Sequence, residues 1–374
     1  MLDRRERILT EAPPLPEGTP AGPPPRPRRS VLVRLALWLS GLSALLLVVV
    51  VMAASVGPAS APLSATAATI ARRVGLPFGE ATPAQQRIIE QIRLPRIVTA
   101  LLVGAALATA GAALQAVFRN PLADPGVVGV SGGAALGAVL GIALRFGTAA
   151  SPGWSLPVAA FGGAVLAVGA VTVVATAGGR LAPATLILAG LAVQAFTGAL
   201  TSAVITTTGD QELLRNMLFW LVGGFDGRSW AHVQAILPAI GVGVLALVVF
   251  GRDLNVLAQG DETAHGLGLA VGPTRLLILG LAAGVTATAV AVSGTISFVG
   301  LIVPHAVRLL VGSEYRLLIP VSALAGAAFL VLADTIARTA LQPAELRTGV
   351  VTALLGAPFF VFLLWRNRAR IGDW

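Results

Sequence analysis

The chain has 374 residues, of which 56% are hydrophobic and 11% are charged, and its mean hydropathy is +0.85. Its apolar residues form long runs between short polar breaks, a pattern that excludes a soluble domain. Its net charge of +9 lies largely in the two tails and forms no basic face with interleaved aromatic residues, so no nucleic-acid binding is indicated. The absence of cysteine excludes disulfides and thiolate metal sites.

Ten apolar runs are long enough to be membrane spans, because a bilayer core about 30 Å thick needs roughly 20 apolar residues per helix. We therefore predict an all-α polytopic membrane protein. The predicted spans are residues 31–55, 94–117, 127–145, 155–178, 184–207, 231–250, 273–292, 296–311, 318–337 and 347–365. The eighth is short, and the boundary between the fourth and fifth is the least defined.

The first span is too long for a cleaved signal peptide, because its roughly 24 apolar residues exceed the usual core of about 7–15. Residues 1–30 are rich in Pro and Arg and predict a disordered cytoplasmic tail that touches anionic membrane lipid. Arginine is also frequent in the tail at 367–374, so both termini should be cytoplasmic. Residues 31–366 then form one transmembrane domain, and its loop at about 251–272 faces the cytoplasm.

Ionisable residues avoid the predicted spans. Of the 17 acidic residues, 16 fall in loops or tails, and the exception, Asp334, precedes Arg338 by the four residues of a local helical ion pair. An ion-coupled secondary transporter, the alternative among transport proteins, would normally keep such residues near mid-membrane. All 26 basic residues are arginine, so the chain lacks the lysine of a phosphate-binding loop. Any ATPase that drives transport must therefore be a separate chain.

The segment VLAQGDETAHGLGL, at 256–269, concentrates two acids and a histidine in that cytoplasmic loop. The histidines of the chain lie in separate segments and form no metal-binding motif, so we predict no metal, cofactor or catalytic site. The segment favours a short amphipathic helix with Asp261 and Glu262 at its N-terminal end, where the helix dipole favours acids. Its apolar residues for packing are Val256, Leu257, Ala264 and Leu267. Such a helix would offer a rigid docking point to a soluble partner.

The pattern G-[DE]-x-x-A-x-x-L-G in this segment resembles the coupling loop of the permease subunits of bacterial ATP-binding-cassette importers for iron-siderophores, haem and cobalamin. The residues concerned are Gly260, Asp261, Glu262, Ala264, Leu267 and Gly268. Further motifs of that family follow in order within residues 85–366: RLPR (93–96), NPLADPGVVGVSGGAALG (120–137), FWLVGGF (219–225), GTISFVGLIVPHAVRLLVG (294–312), LADTIAR (332–338) and ELRTGVVTALLGAPFF (345–360). The chain thus resembles the permease of a type II importer.

The resemblance implies an assembly as well as a fold. The assembly would be a homodimer in the bacterial inner (plasma) membrane, with two ATPase chains and a periplasmic binding protein and without a cofactor. The expected cargo is a metal chelate, with a ferric siderophore ranked before cobalamin and haem. The fold would contain two inverted five-helix repeats. Three residues recur at a constant offset of 183: Gly111, Pro121 and Gly129 as Gly294, Pro304 and Gly312.

Two polar stripes are candidates for the translocation path. They consist of Gln194, Thr197 and Thr201 on the fifth span and of Thr348, Thr352 and Gly356 on the tenth. By spacing alone, each stripe either binds neighbouring helices or lines a water-filled path, and the resemblance favours the path. The resemblance also implies a gate at Ala182, Pro183 and Ala184, where relatives often have small hydroxyl residues.

Three arginines should converge at the outer face. Arg93 and Arg96 begin the second span, and Arg338 ends the ninth span on the same side. One interpretation makes them interfacial anchors, with Arg338 paired to Asp334. The resemblance favours docking to carboxylates of the binding protein, which planar guanidinium groups suit.

Overall fold

The computed structural model describes residues 30–57, 62–73, 75–76, 79–146, 154–177 and 183–371, so most of the predicted N-terminal tail lies outside the described residues. In chain order the α-helices are α1 (Val31–Ser55), α2 (Leu63–Arg73), α3 (Pro83–Arg87), α4 (Leu94–Val117), α5 (Val130–Ala143), α6 (Ser155–Thr176), α7 (Pro183–Thr207), α8 (Gln211–Val222), α9 (Trp230–Val249), α10 (Gly251–Leu257), α11 (Asp261–Gly266), α12 (Val271–Ser293), α13 (Val299–Val311), α14 (Tyr315–Ala337) and α15 (Thr348–Ile371). A π-helix, Ile88–Arg93, joins α3 to α4, and a 3-10 helix, Pro125–Val128, precedes α5. No strand occurs in these ranges.

Each of the ten predicted spans corresponds to a helix, which confirms an all-α polytopic membrane protein. In the part of the chain that the structure describes, seven helices are long and apolar enough to cross a membrane: α1, the continuous helix Pro83–Val117, α6, α7, α9, α12 and α14. The shorter apolar helices α5, α13 and Thr348–Leu363 of α15 account for the others. Every predicted span begins within three residues of its helix. The last helix continues to Ile371, into the segment predicted as a tail.

The order of helix lengths repeats along the chain. Helices α4 to α7 have 24, 14, 22 and 25 residues, and α12 to α15 have 23, 13, 23 and 24. This order pairs α4 with α12, whereas the recurrence at an offset of 183 pairs Gly111, inside α4, with Gly294, which follows the end of α12. That recurrence is therefore wrong as evidence for a repeat, and the order of helix lengths is the sounder support.

Helix α4 lies at the centre of the protein, packed against α9, α12, α13 and α14. Its small residues allow this, because a β-carbon on Gly104 would lie 2.2 Å from the Gly326 carbonyl oxygen of α14. A β-carbon on Gly111 would lie 1.9 Å from the Gly300 carbonyl oxygen of α13. Lipid tails are as apolar as leucine, so helices associate in a membrane through such close backbone packing.

Helix α8 was not predicted from the sequence, because it is amphipathic and only 12 residues long. Asp210 caps its N-terminus by accepting hydrogen bonds from the backbone N–H groups of Leu213 and Glu212, at 3.3 and 2.9 Å. These hydrogen bonds lower the pKa of the Asp210 carboxyl group. The helix packs against α5 and α15.

Helix α1 packs along α14 with only three of its 25 residues buried, and side-chain hydrogen bonds hold both of its ends. At the C-terminal end, Arg93 donates to the Ala54 carbonyl oxygen at 2.6 Å, and Arg338 donates to the Ala53 carbonyl oxygen. Near the N-terminal end, Arg34 donates to the carbonyl oxygen of Val311, the last residue of α13, at 2.6 Å. Cations at helix C-termini are electrostatically favourable, so these contacts attach α1 to its neighbours.

Candidate coupling and translocation sites

The predicted cytoplasmic segment forms two short helices, α10 and α11, joined by a tight turn. Gly260 precedes α11 with a φ of 114°, and Gly268 follows it with a φ of 82°, backbone angles that favour glycine. The side chains of Leu257 and Ala264 are 1% and 0% exposed, as their predicted packing role requires. The two glycines of the motif therefore form the turns before and after α11, and the buried Ala264 side chain packs α11 against the rest of the protein.

Asp261 fixes α11 to the rest of the protein. Its Oδ1 accepts a hydrogen bond of 2.6 Å from Nη2 of Arg275 on α12 and lies 3.8 Å from Nη2 of Arg119, in the turn after α4. The hydrogen bond from Arg275, together with the charge of Arg119, lowers the pKa of the Asp261 carboxyl group. The acid of the motif therefore holds α11 in place from within the chain.

The exposed face of α11 is available for contact with a partner protein. It includes Glu262, Thr263 and His265, and the side chain of Leu267, which follows α11, is 66% exposed. The prediction that Leu267 packs inward is wrong, because the chain turns outward as α11 ends. A polar cavity of about 390 Å³ opens beside this face, lined by Arg119, Gln259, Gly260, Asp261, Glu262 and Thr263. We call Glu262, His265 and Leu267 the coupling face.

The three arginines predicted at the outer face do converge, but they bind acceptors within this chain. Arg93 and Arg338 are 4% and 3% exposed and donate to the last carbonyl groups of α1. A β-carbon on Gly57 would lie within 3.1 Å of Arg93 and 3.2 Å of Arg338, so both guanidinium groups surround the end of α1. Such buried groups are poorly placed to meet carboxylates of another protein, and the geometry argues against their predicted docking role.

Arg96 is the centre of an ion-pair network. Its Nε and Nη2 donate to the carboxylate of Asp334, at 3.0 and 2.9 Å. Its Nη1 lies 2.9 Å from Asp226 and 2.8 Å from Glu345. Arg338 is 3.8 Å from Asp334, so the ion pair expected along α14 is present but longer than the pair with Arg96. The more exposed edge of this network is Asp226, which also lies 2.7 Å from Nη1 of Arg347.

The predicted path stripe on α7 divides between two faces. Thr197 and Thr201 are buried, and their hydroxyl groups donate to the carbonyl oxygens of Val193 and Thr197, at 2.9 and 2.8 Å. Thr197 faces α5, since a β-carbon on Gly132 would lie 2.6 Å from its Oγ1. Because both side chains are buried and their hydroxyl groups bind their own helix, their path-lining role stays a prediction. Gln194 is exposed and lies on another face.

That exposed face of α7 carries its own polar stripe, which the sequence reasoning missed. Gln194, Gly198, Ser202 and Thr206 recur at intervals of four residues and are all exposed. The missed signal was this second i,i+4 series, which shares Gln194 with the predicted one. A glutamine side chain facing lipid hydrocarbon is unfavourable, so this face requires water or a polar partner.

The predicted stripe on α15 is buried as well. The Thr348 hydroxyl donates to Oδ1 of Asp334 at 2.9 Å, and the Thr352 hydroxyl donates to the Gly349 carbonyl oxygen at 3.1 Å. A β-carbon on Gly356 would lie 2.3 Å from Cγ of Phe298, which precedes α13. These three residues are buried between α15 and its neighbours, so their path-lining role stays a prediction without support from their positions.

The predicted gate is only partly described, since Ala182 lies outside the described residues. Pro183 begins α7 and is half-buried, and Ala184 is exposed. Across the described ranges, no group of three or more His, Asp or Glu residues is arranged to hold a metal ion. His232 stacks on Trp154 at 5.3 Å, and His305 meets Phe359 edge-on at 6.2 Å.

Several known proteins resemble this chain. A family model, that of the FecCD transport family, matches residues 45–366. The cobalamin import system permease protein BtuC of Halobacterium salinarum is 49% identical over 305 residues, covering 81% of this chain and 80% of that protein. The Fe(3+)-citrate import system permease protein YfmD of Bacillus subtilis is 42% identical over 284 residues, covering 76% and 83% respectively. A solved metal-chelate type ABC transporter in an inward-facing conformation has a TM-score of 0.77 at 32% identity, covering 88% of this chain and 99% of that chain.

Proposed function

Because the chain belongs to the FecCD transport family, it is the membrane-spanning permease subunit of an ATP-binding-cassette importer for a metal chelate, and we propose that it works as a homodimer. Family membership implies an ATPase and a binding protein as partners. Two ATPase chains would then serve the two permease copies, and both termini would lie in the cytoplasm. The permease itself would carry out no chemistry.

The observation that carries this proposal is the coupling face on α11. A helix held by Asp261, Arg275 and Arg119 moves together with α12 and the turn after α4, so a force applied to it reaches the membrane domain. The exposed side chain of Leu267 offers an apolar contact to an ATPase.

The test uses two matched substitutions. Leu267→Arg should prevent co-purification of the ATPase, because a charge replaces the apolar centre of the contact. Leu341→Arg is the control, since Leu341 is 57% exposed in the connection between α14 and α15. It should leave ATPase association unchanged. His265→Ala should have a mild effect, and Ala264→Arg should disrupt α11 itself, because Ala264 is fully buried. Normal ATPase binding by Leu267→Arg would refute the coupling face.

We further propose that the polar stripe of α7 lines the translocation path. Neither α7 nor residues 348–365 of α15 carries a charged side chain, so the exposed faces of these helices offer a neutral path. Gln194→Leu should reduce uptake about tenfold while leaving folding intact. Thr197→Val is the control and should have little effect, because its hydroxyl binds its own helix. Equal uptake by both variants would exclude this face.

For the cargo we propose cobalamin first, because the relative with 49% identity is a cobalamin import permease. Ferric siderophore, ranked first from the sequence, and haem follow as the next candidates. Proteoliposomes containing the permease, its ATPase and its binding protein should take up labelled cobalamin only when ATP is supplied. Uptake of a ferric siderophore instead would reverse the order, and uptake on an ion gradient without any ATPase would favour a secondary transporter.

A further inference from the structure

The connection between α13 and α14 is hydrogen-bonded to α10, one of the two short helices of the predicted coupling loop. The side-chain amide of Asn255, on α10, donates to Oε1 of Glu314 at 2.6 Å. Its Oδ1 accepts the backbone N–H of Tyr315 at 2.8 Å. Tyr315 is the first residue of α14 and is 3% exposed. A displacement of α10 therefore reaches this connection through two short hydrogen bonds.

From that connection the contacts continue into the membrane domain. The Arg308 guanidinium lies 5.5 Å from the centre of the Tyr315 ring, and its Nη2 donates to Oε1 of Gln115 at 2.9 Å. Gln115, on α4, is 2% exposed, and its Nε2 donates to the Gly300 carbonyl oxygen at 3.3 Å. Arg308 and Gly300 both belong to α13, so Gln115 uses the two ends of its amide to bind α13 near its C-terminal end and in its first turn.

The last contact involves a residue in an unfavourable backbone conformation. Phe298 precedes α13 with φ 70° and ψ −17°, in the left-handed region that non-glycine residues disfavour. Its side chain occupies the space that Gly356 leaves free on α15. Strained residues of this kind occur where a segment has two alternative arrangements. Phe298 is therefore a candidate switch between α13 and α15.

We infer that Asn255, Tyr315, Arg308 and Gln115 form a relay that transmits movement of α10 and α11 to the contact between Phe298 and Gly356. The inference rests on the proposed coupling role of these helices and assigns positioning residues that the coupling motif does not contain. Gln115 and Tyr315 are both nearly inaccessible, so water cannot readily replace their contacts. Packed side chains and hydrogen-bond networks can carry coupling between distant sites when they act on an element with two states, the role that the inference gives to Phe298.

The first experiment compares Gln115→Leu with Thr109→Val in proteoliposomes that contain the ATPase and the binding protein. Thr109 is buried on the same helix, and its hydroxyl binds only its own helix, at the Ala105 carbonyl oxygen, 2.7 Å away. Gln115→Leu should retain ATPase association and hydrolysis, while cargo uptake per ATP falls at least about tenfold. Thr109→Val should transport normally. If Gln115→Leu does not fold, Asn255→Ala, nearer the surface, should show the same uncoupling.

The second experiment follows the movement itself. Because the chain lacks cysteine, single substitutions Gln259→Cys and Leu355→Cys allow a fluorophore to be attached beside α11 and on the exposed face of α15. Nucleotide trapping should change both signals in the parent protein. With Gln115→Leu added, only the signal at position 259 should respond. An unchanged response at position 355, or unchanged uptake per ATP, would overturn the relay. Absence of any response at position 259 in the parent protein would instead overturn the coupling face.

Discussion

Replacing Gly111 by alanine should destabilise the protein strongly, because it separates α4 from α13. The new methyl group would lie 1.9 Å from the Gly300 carbonyl oxygen, whereas ordinary contact begins at 3.4 Å. The two backbones must therefore move apart by about 1.5 Å, and no side-chain rotation relieves the clash. The same carbonyl group accepts the hydrogen bond from Gln115, which the movement would also weaken.

The expected cost follows from these distances. Overpacking typically costs about 1–3 kcal/mol, and a clash between two backbones should lie at the upper end. Alanine in a helix gains roughly 0.5–1 kcal/mol over glycine. The net loss should therefore be about 2 kcal/mol.

Unfolding of the purified protein in mixed detergent micelles, followed by circular dichroism, measures this difference. Gly284→Ala, on α12, is the control, because a β-carbon at that position meets no atom within 4 Å. It should be neutral or slightly stabilising. Equal unfolding midpoints for Gly111→Ala and the parent protein would refute the close approach of α4 and α13.

Two further predictions test the outer network and the orientation. Asp334→Asn should lower stability by about 3 kcal/mol, because it removes the buried carboxylate that binds Arg96 through two hydrogen bonds. Asp210→Asn, in an exposed pair, should change stability little, and equal effects of the two substitutions would contradict the assignment of a buried pair. A single cysteine at Gln259 should react only with reagents that reach the cytoplasm, and one at Gln211 only from outside. The reverse labelling would invert the topology.

The apolar runs of the sequence located the membrane helices because the bilayer sets a minimum length for them. The same criterion could not find α8, because this helix is amphipathic and has only 12 residues. It also gave no warning of the π-helix at Ile88–Arg93, which directs Arg93 towards the end of α1. The length and hydropathy of an apolar run carry no information about helix caps or irregular turns.

The site residues show a different limit. Spacing correctly grouped Thr197 with Thr201, but a periodic pattern does not tell which face points inward. Arg96 was grouped correctly with Arg93 and Arg338, yet its partners Asp226 and Glu345 lie far along the sequence, so their pairing depends on the tertiary fold. The start of α11 was predicted best, because Asp261 and Glu262 at a helix N-terminus are a local signal.

The attachment of α1 at both ends has a mechanical consequence. A helix of 25 residues is a rod about 37 Å long, and its length changes little under load. Arg34 fixes one end to α13, and Arg93 and Arg338 fix the other beside α4 and α14. We expect these helices to keep a constant spacing and to move as one block during a transport cycle. We expect sliding to fall to helices outside this block, such as α7, whose polar face is exposed.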